Sequence, residues 1–224
     1  MENRLYEYNF FKTNKVLKEE AKEGIKGNKG SSLAINFIYF LVKLCFLAGI
    51  TLLIVSLVNI RNDNFNFITG LIVAGSLLLV AFFFFGPLRL SVCKNAINMV
   101  ENTKPSFKDM GYGFKNYGRS LNFSLSLFFS YLFNLILLVV PFVFRYIDLQ
   151  FAGFILAEND EMKVGDAFRL SKDYLKGYRK HYISLVWAYI VDFILSIISC
   201  YVYSLWVRPK FNCAVYCLYR DLKS

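Results

Sequence analysis

The sequence predicts an all-α, polytopic transmembrane helical bundle whose six spans form three repeated hairpins with interfacial amphipathic helices between them. Three observations predict it. Hydrophobic residues make up 56% of the chain, above the roughly 45–50% of an ordinary soluble domain, and mean hydropathy is positive. Apolar runs such as Leu33 to Ile60 and Phe67 to Leu88 exceed the roughly 20 residues that cross about 30 Å of hydrocarbon as a helix. A short basic phrase precedes the apolar runs: Ala21-Lys22-Glu23-Gly24-Ile25-Lys26-Gly27 returns as Ser171-Lys172-Asp173-Tyr174-Leu175-Lys176-Gly177, with a looser middle copy, Phe114-Lys115-Asn116-Tyr117, before the run from Leu121. Repetition at this scale indicates a fold assembled from similar units.

All 224 residues are expected to form one membrane domain. Residues 1–32 read as a basic amphipathic segment on the cytoplasmic side. About thirty polar residues precede the first apolar run and no small-residue cleavage site closes it, so that run serves as targeting signal and permanent span. Residues 33–100 form the first hairpin, with Phe82-Phe83-Phe84-Phe85 inside its second helix. Residues 106–158 open with Ser106-Phe107-Lys108-Asp109, which fits a capping box, and continue with Met110, Phe114 and Tyr117 on one side. The second hairpin follows from Leu121 to Ala157, about 37 residues with Pro141 in the middle, enough for two crossings at about 1.5 Å per residue. Residues 161–219 repeat the plan. Val164, Ala167, Phe168, Ser171, Tyr174 and Leu175 recur at helical spacing, acidic residues lie at the start and basic ones at the end, and Gly177 is placed to terminate the helix. The third hairpin, Tyr182 to Tyr219, turns near Ser199 to Tyr201.

Charge decides the span count. Four spans, Leu33 to Ile60, Phe67 to Leu88, Leu121 to Val140 and Tyr182 to Val207, would leave Lys163 to Lys180 outside, and a segment that basic resists translocation. Six spans put every basic connection and both termini in the cytoplasm, with Arg61 alone in an outer loop. The expected location is a bacterial inner membrane. The net charge of +10 then reads as the positive-inside pattern and not as a nucleic-acid surface, since no groove-reading or stacking motif accompanies it. Lys22, Lys26, Lys115, Arg119, Lys172, Lys176, Arg179 and Lys180 are the expected contacts to anionic headgroups, from amphipathic helices lying flat on the inner leaflet. Docking a soluble partner is the alternative use of those faces. Cys45, Cys93, Cys200, Cys213 and Cys217 are odd in number and fall mostly in apolar runs, so no disulfide framework is implied.

Ionisable residues inside proposed spans are costly unless paired or hydrated, and they mark the candidate site. Lys43 in the first span and Asp192 in the fifth fall at nearly equal depth, and Arg208 competes for Asp192. Arg145 and Asp148 are three apart and can pair along one helix face. Tyr131 and Asn134 lie at a similar depth. Together these residues suggest a polar layer, either interhelical pairing that fixes register or the lining of a cavity for a polar headgroup or ion. Pro87, Pro141 and Pro209 each sit in or beside the second helix of a hairpin, where a freed carbonyl needs a partner from a neighbouring helix. One histidine, His181, stands at the start of a span. A metal site, a catalytic triad and a phosphate-binding loop therefore lack their residues, and no catalytic residue, metal or cofactor is expected.

The block Ile155-Leu156-Ala157-Glu158-Asn159-Asp160, with Ala167-Phe168-Arg169-Leu170-Ser171-Lys172 and Leu175-Lys176-Gly177, resembles the signature of an uncharacterised bacterial integral membrane family. That family is distantly similar to the membrane domain of some glycerophosphodiester phosphodiesterases. Pro105-Ser106-Phe107-Lys108-Asp109 leading to Gly113-Phe114-Lys115-Asn116-Tyr117 fits it too, as does Trp206-Val207-Arg208-Pro209 leading to Tyr216, Tyr219, Arg220 and Asp221. The chain departs from the pattern at Val139-Val140-Pro141-Phe142, where glycine would follow the proline. The resemblance implies a six-helix membrane domain of unknown function, whose catalytic partner domain in the phosphodiesterases is absent from this sequence. The resulting expectation is a non-catalytic membrane component that binds a lipid or amphipathic molecule. A transporter or channel around buried charges, or a structural subunit holding a membrane protein partner or a second copy, are the alternatives.

Overall fold

The computed structural model describes residues 13–26, 29–58, 66–101, 103, 109, 111–137, 139–199 and 202–223, and these are all-helical. Gly27, the Arg61 loop, the Ser106-Phe107-Lys108 capping segment, Met110 and Cys200 lie outside the described residues.

The repeated phrase folds twice into the same object. Helices α1 (Asn14–Ile25) and α8 (Val164–Leu175) are each 12 residues long and leave through an extended Lys26 or Lys176 at φ near −67°. The amide N–H of Lys26 donates to Glu23 O and that of Lys176 to Asp173 O. Gly177 takes φ +93°, the left-handed turn for which glycine is suited. Leu17 and Ala21 of α1, and their repeat counterparts Ala167 and Ser171 of α8, are buried. They are buried by the chain itself, because α1 packs on α11 (Ser204–Lys223) and α3 (Asn66–Val100), and α8 on α7 (Ala152–Glu158) and α6 (Val139–Asp148). The flat arrangement on the leaflet is therefore corrected: the apolar faces are covered by protein and the charged faces point outward. The copies differ at Gly24, where the third has Tyr174. A Cβ at Gly24 would meet Met99 O at 2.9 Å and Met99 C at 3.3 Å, so α1 reaches the α3 backbone only because that position has no side chain.

Helix α2 (Lys29–Val58) and α3 (Asn66–Val100) fold back on each other, with the Tyr39 and Phe85 rings 5.6 Å apart. Two stretches are long and apolar enough to cross a membrane, Leu33–Val58 and Phe67–Val100. Towards the 59–65 connection they expose Leu47, Ile54, Val55, Ile68, Ile72 and Leu79, an apolar surface suited to lipid. The span expected to end at Leu88 runs twelve residues further, because Pro87 does not stop the helix. The Phe83 carbonyl that Pro87 cannot serve accepts the Tyr117 hydroxyl at 3.4 Å, and Ser91 Oγ donates to Pro87 O at 3.0 Å. Helix α4 (Tyr112–Lys115) lies against this point, where Gly113 N donates to Ser91 Oγ at 3.1 Å.

Helix α5 (Tyr117–Leu137) turns back into α6 (Val139–Asp148), which brings Tyr131 within 5.8 Å of both Phe142 and Tyr146. Pro141 falls in the first turn of α6, where its missing N–H removes no intrahelical bond. Helix α5 packs on α3 where Phe82 to Arg89 of α3 meet Tyr117 to Phe128 of α5. Helix α7 (Ala152–Glu158) and α8 follow. Helix α9 (Arg179–Ala188) bends by 47° into α10 (Ile190–Ile198), and this pair counts as a third crossing if taken as one span. Helix α11 (Ser204–Lys223) follows, with Val202 N bonded to Ser199 O and Phe193 5.3 Å from Phe211.

The core gathers where α3, α7 and α11 end together, around Phe151, Ile155, Leu156, Cys213, Tyr216 and Tyr219. Connecting helices close it in a cycle. Helix α4 packs on α3 and α8 on α7, each on the helix that precedes it in the chain order of pairs, while α1 packs on α11, the last. Arg220 reaches Glu20 of α1 at 3.1 Å, and Lys18 of α1 donates to Ala188 O at the α9–α10 bend. That carbonyl loses its regular partner where the helix breaks, and Lys18 supplies one.

Candidate functional site

Three cations from three helices converge on one tyrosine. Lys43 Nζ of α2 lies 4.8 Å from the centroid of the Tyr39 ring, and Arg208 Cζ of α11 lies 5.9 Å from it. Arg89 of α3 and Arg208 are the charged neighbours of Lys43. Arg89 Cζ stands 5.6 Å from the Phe123 ring, and its polar neighbours are Tyr39, Tyr131, Tyr146 and the Cys93 thiol. Each of the three cations is half-buried. Among the described residues no carboxylate lies within ion-pair distance of any of them. The Tyr131 hydroxyl oxygen is buried, with the Arg89 guanidinium as its polar neighbour.

Aromatic faces offset part of the cost of keeping cations out of water, at about 0.5–2 kcal/mol each, but they do not neutralise charge. Three like charges without a counterion repel one another, and an anion placed among them would relieve that repulsion. At about 1.5 Å per residue, Lys43 stands about 22 Å and Tyr39 about 28 Å along α2 from Val58, and Arg89 about 34 Å along α3 from Asn66. The group therefore lies well down the α2–α3 pair from its connection.

The sequence-predicted layer divides. Lys43, Tyr131 and Arg208 come together here. Asp192 does not join them: it accepts the Tyr203 hydroxyl at 3.4 Å, and neither Lys43 nor Arg208 pairs with it. The expected Arg145–Asp148 pair does not form. Arg145 Nε donates to Ser130 Oγ at 2.8 Å, while Asp148 takes both arms of Arg179 at 2.7 and 2.8 Å. Asn134 donates to Ser130 O of its own helix at 2.6 Å. Equal depth failed to predict partners because depth leaves helix rotation open, and rotation is set by packing. Arg89 and Tyr39 were missed. The signal for Arg89 was the continuation of α3 beyond Pro87, which hydropathy alone placed outside the span.

Of the eight expected headgroup contacts, Lys22, Lys26, Lys115, Lys172, Lys176 and Lys180 are exposed. The other two turn inward. Arg179 serves Asp148, and Arg119 donates to the carbonyls of Asn159 and Met162 and lies 3.7 Å from Asp160.

A second polar junction joins the three motif blocks. Glu158 accepts Tyr216 at 3.1 Å, Tyr219 at 2.9 Å and Lys223 at 2.6 Å, and the Tyr216 hydroxyl lies 2.6 Å from Glu101. Tyr112 donates to Asp160. Burial and that carboxylate push the Tyr112 phenol up to about 12. These residues are bonded to one another and read as the joint that holds α3, α7 and α11.

The chain matches no protein-family model, no curated protein and no solved structure.

Proposed function

We propose that this chain is a non-catalytic membrane-embedded binding component whose ligand is an amphiphile with an anionic headgroup. The carrying observation is that Lys43 and Arg208 lie over the Tyr39 ring with Arg89 as a third charged neighbour, and that among the described residues no carboxylate pairs with any of them. Depth supports it. If the polar 59–65 connection marks one face of the bilayer, about 30 Å of hydrocarbon ends near Tyr39, so the cations straddle the opposite headgroup level. The six exposed lysines on the connecting helices favour the same anionic leaflet, the cytoplasmic one by the positive-inside rule.

Helices α2 and α3 serve as full crossings in this reading, and the α5–α6 and α9–α11 pairs enter from the cytoplasmic face and turn back. Among the described residues only α2 and α3 are, as single helices, long and apolar enough to cross, which supports re-entry of the other pairs. Six full crossings satisfy the charge distribution equally well and differ in one observable: they carry residue 141 to the outer surface. A cysteine at position 141, in a variant whose own cysteines are removed, labels from outside only if the second pair crosses.

Native mass spectrometry from nanodiscs of mixed anionic and zwitterionic phospholipid tests the binding. Wild type should retain one anionic lipid. Arg89→Met and Lys43→Met should each weaken retention by about 10- to 100-fold, as for loss of a hydrogen bond to a charged group, while Lys163→Met, at an exposed position outside that set, leaves it unchanged. Retention that does not distinguish headgroups, or that survives both substitutions in protein still monodisperse by size exclusion, sinks the proposal.

A further inference from the structure

We infer that the cleft between α6 and the bent α9–α10 pair receives an acyl chain of the same anionic phospholipid, so that the ligand enters sideways from the bilayer. This rests on the reading of the cation cluster as a headgroup site.

The cleft has a volume of about 250 Å³ and is walled by Tyr146 of α6, Tyr182, Val186 and Trp187 of α9, Phe193 of α10 and Phe211 of α11. It exists because α9 bends. The 47° break lets α10 follow α11, with Tyr189 and Phe193 packed 5.5 and 5.3 Å from Phe211, while α9 stays beside α6. A wedge opens between them. Lys18 holds the break from behind, donating to Ala188 O and lying 4.3 Å from the Tyr189 ring centroid.

Its chemistry is graded. Val186, Trp187, Phe193 and Phe211 present apolar or aromatic surface, and the only hydroxyls in the wall belong to Tyr146 and Tyr182. Those two are the residues that share an environment with Arg89, and the Tyr146 ring lies 5.8 Å from Tyr131. The polar end of the cleft is thus the tyrosine wall of the cation cluster. At its mouth Trp187 is 67% exposed, and the flanking Val143, Phe144, Ile183 and Ile190 are exposed as well. Exposed apolar side chains beside the cleft suit an acyl chain arriving from the bilayer. The volume falls just below the roughly 300–1,000 Å³ of pockets that enclose a drug-sized molecule, which suits one chain of a lipid whose other chain stays in the bilayer.

The test uses Trp187 as its reporter. In a Trp206→Phe background, vesicles of phosphatidylcholine hold 5 mol% phosphatidylglycerol, with bromine on the chains of one lipid or the other, and native mass spectrometry follows headgroup retention in the same variants. Brominated phosphatidylglycerol should quench Trp187 as though it associated about tenfold more tightly than phosphatidylcholine, a selectivity of 1.4 kcal/mol. Arg89→Met should return quenching to the mole fraction. So should Val186→Phe, which fills the wedge without touching a cation. Headgroup retention with random quenching overturns the chain placement and spares the headgroup reading, whereas neither retention nor selective quenching overturns both. Selective quenching that survives Arg89→Met separates chain from headgroup and overturns the inference that one lipid occupies the two sites.

Discussion

Substituting Gly113 by alanine should unseat the joint that positions Arg89. The added Cβ would fall within the Pro87 carbonyl group, well under the 3.0 Å that real Cβ atoms respect, and the obstructing atoms are backbone. A flexible side chain could move aside, but α3 cannot. Helix α4 must therefore back away, and its two buried hydrogen bonds stretch: Gly113 N to Ser91 Oγ at 3.1 Å, and Ser120 Oγ to Gly113 O at 2.5 Å. Each is worth about 1 kcal/mol net, and overpacking adds about 1–3 kcal/mol, so the expected loss is about 3–5 kcal/mol. For a chain of this size that lowers Tm by roughly 6–20 °C, readable by tryptophan fluorescence during heating in detergent or nanodiscs. Gly75→Ala, in the middle of α3, is the internal control. A Cβ there meets no atom within 4 Å, and alanine is the better helix former. If Gly113→Ala and Gly75→Ala melt together, the contact at Pro87 is not as tight as described and the reasoning fails.

Three further outcomes are expected. Arg179→Met should cost on the order of 3 kcal/mol, because Asp148 has only 6% of its side chain exposed and would be left charged without a partner,; the double variant Arg179→Met with Asp148→Leu should recover most of it, and a denaturation series that shows no recovery refutes the pairing. Asn95 is 1% exposed with both polar atoms unpartnered among the described residues, so Asn95→Leu should raise stability by about 1–3 kcal/mol, and a lower melting temperature would contradict it. Tyr112 keeps its proton in the folded state up to about pH 12 and in the unfolded state only to about pH 10. Its contribution is therefore intact below pH 10 and lost as pH rises from 10 to 12, and Tyr112→Phe should flatten the alkaline decline of Tm in that window.

Local features were legible in the sequence because they depend on neighbours three and four residues away. The repeated phrase led to α1 and α8, helices of equal length with matching exits, and Gly177 ends the second as its lack of a side chain allows. The partners of those helices were not legible. Burial of Leu17 and Ala21 against α3 and α11 depends on contacts between distant parts of the chain, and an amphipathic pattern is the same whether protein or lipid covers it. The candidate site divided along similar lines. Lys43, Tyr131 and Arg208 stood out as polar residues in apolar runs, whereas Arg89 was hidden by a rule of thumb about proline. Tyr117 and Ser91, which let the helix pass Pro87, announce nothing by their spacing. Asp192 and Asp148 were found as charges and given the wrong partners, since a sequence supplies depth along a helix but not its rotation.

The seat of α1 has a kinetic consequence. It leaves the ribosome about 165 to 200 residues ahead of α9 and α11, the helices on which it docks. At about 5–20 residues per second, the helix waits on the order of 10–40 s with Leu17 and Ala21 uncovered. During that interval an insertase, a chaperone or the membrane surface is its only shelter. Lys18 can grip the α9–α10 bend only after that bend has been made, so the wedge between the helices takes its final shape late, when two segments about 170 residues apart meet.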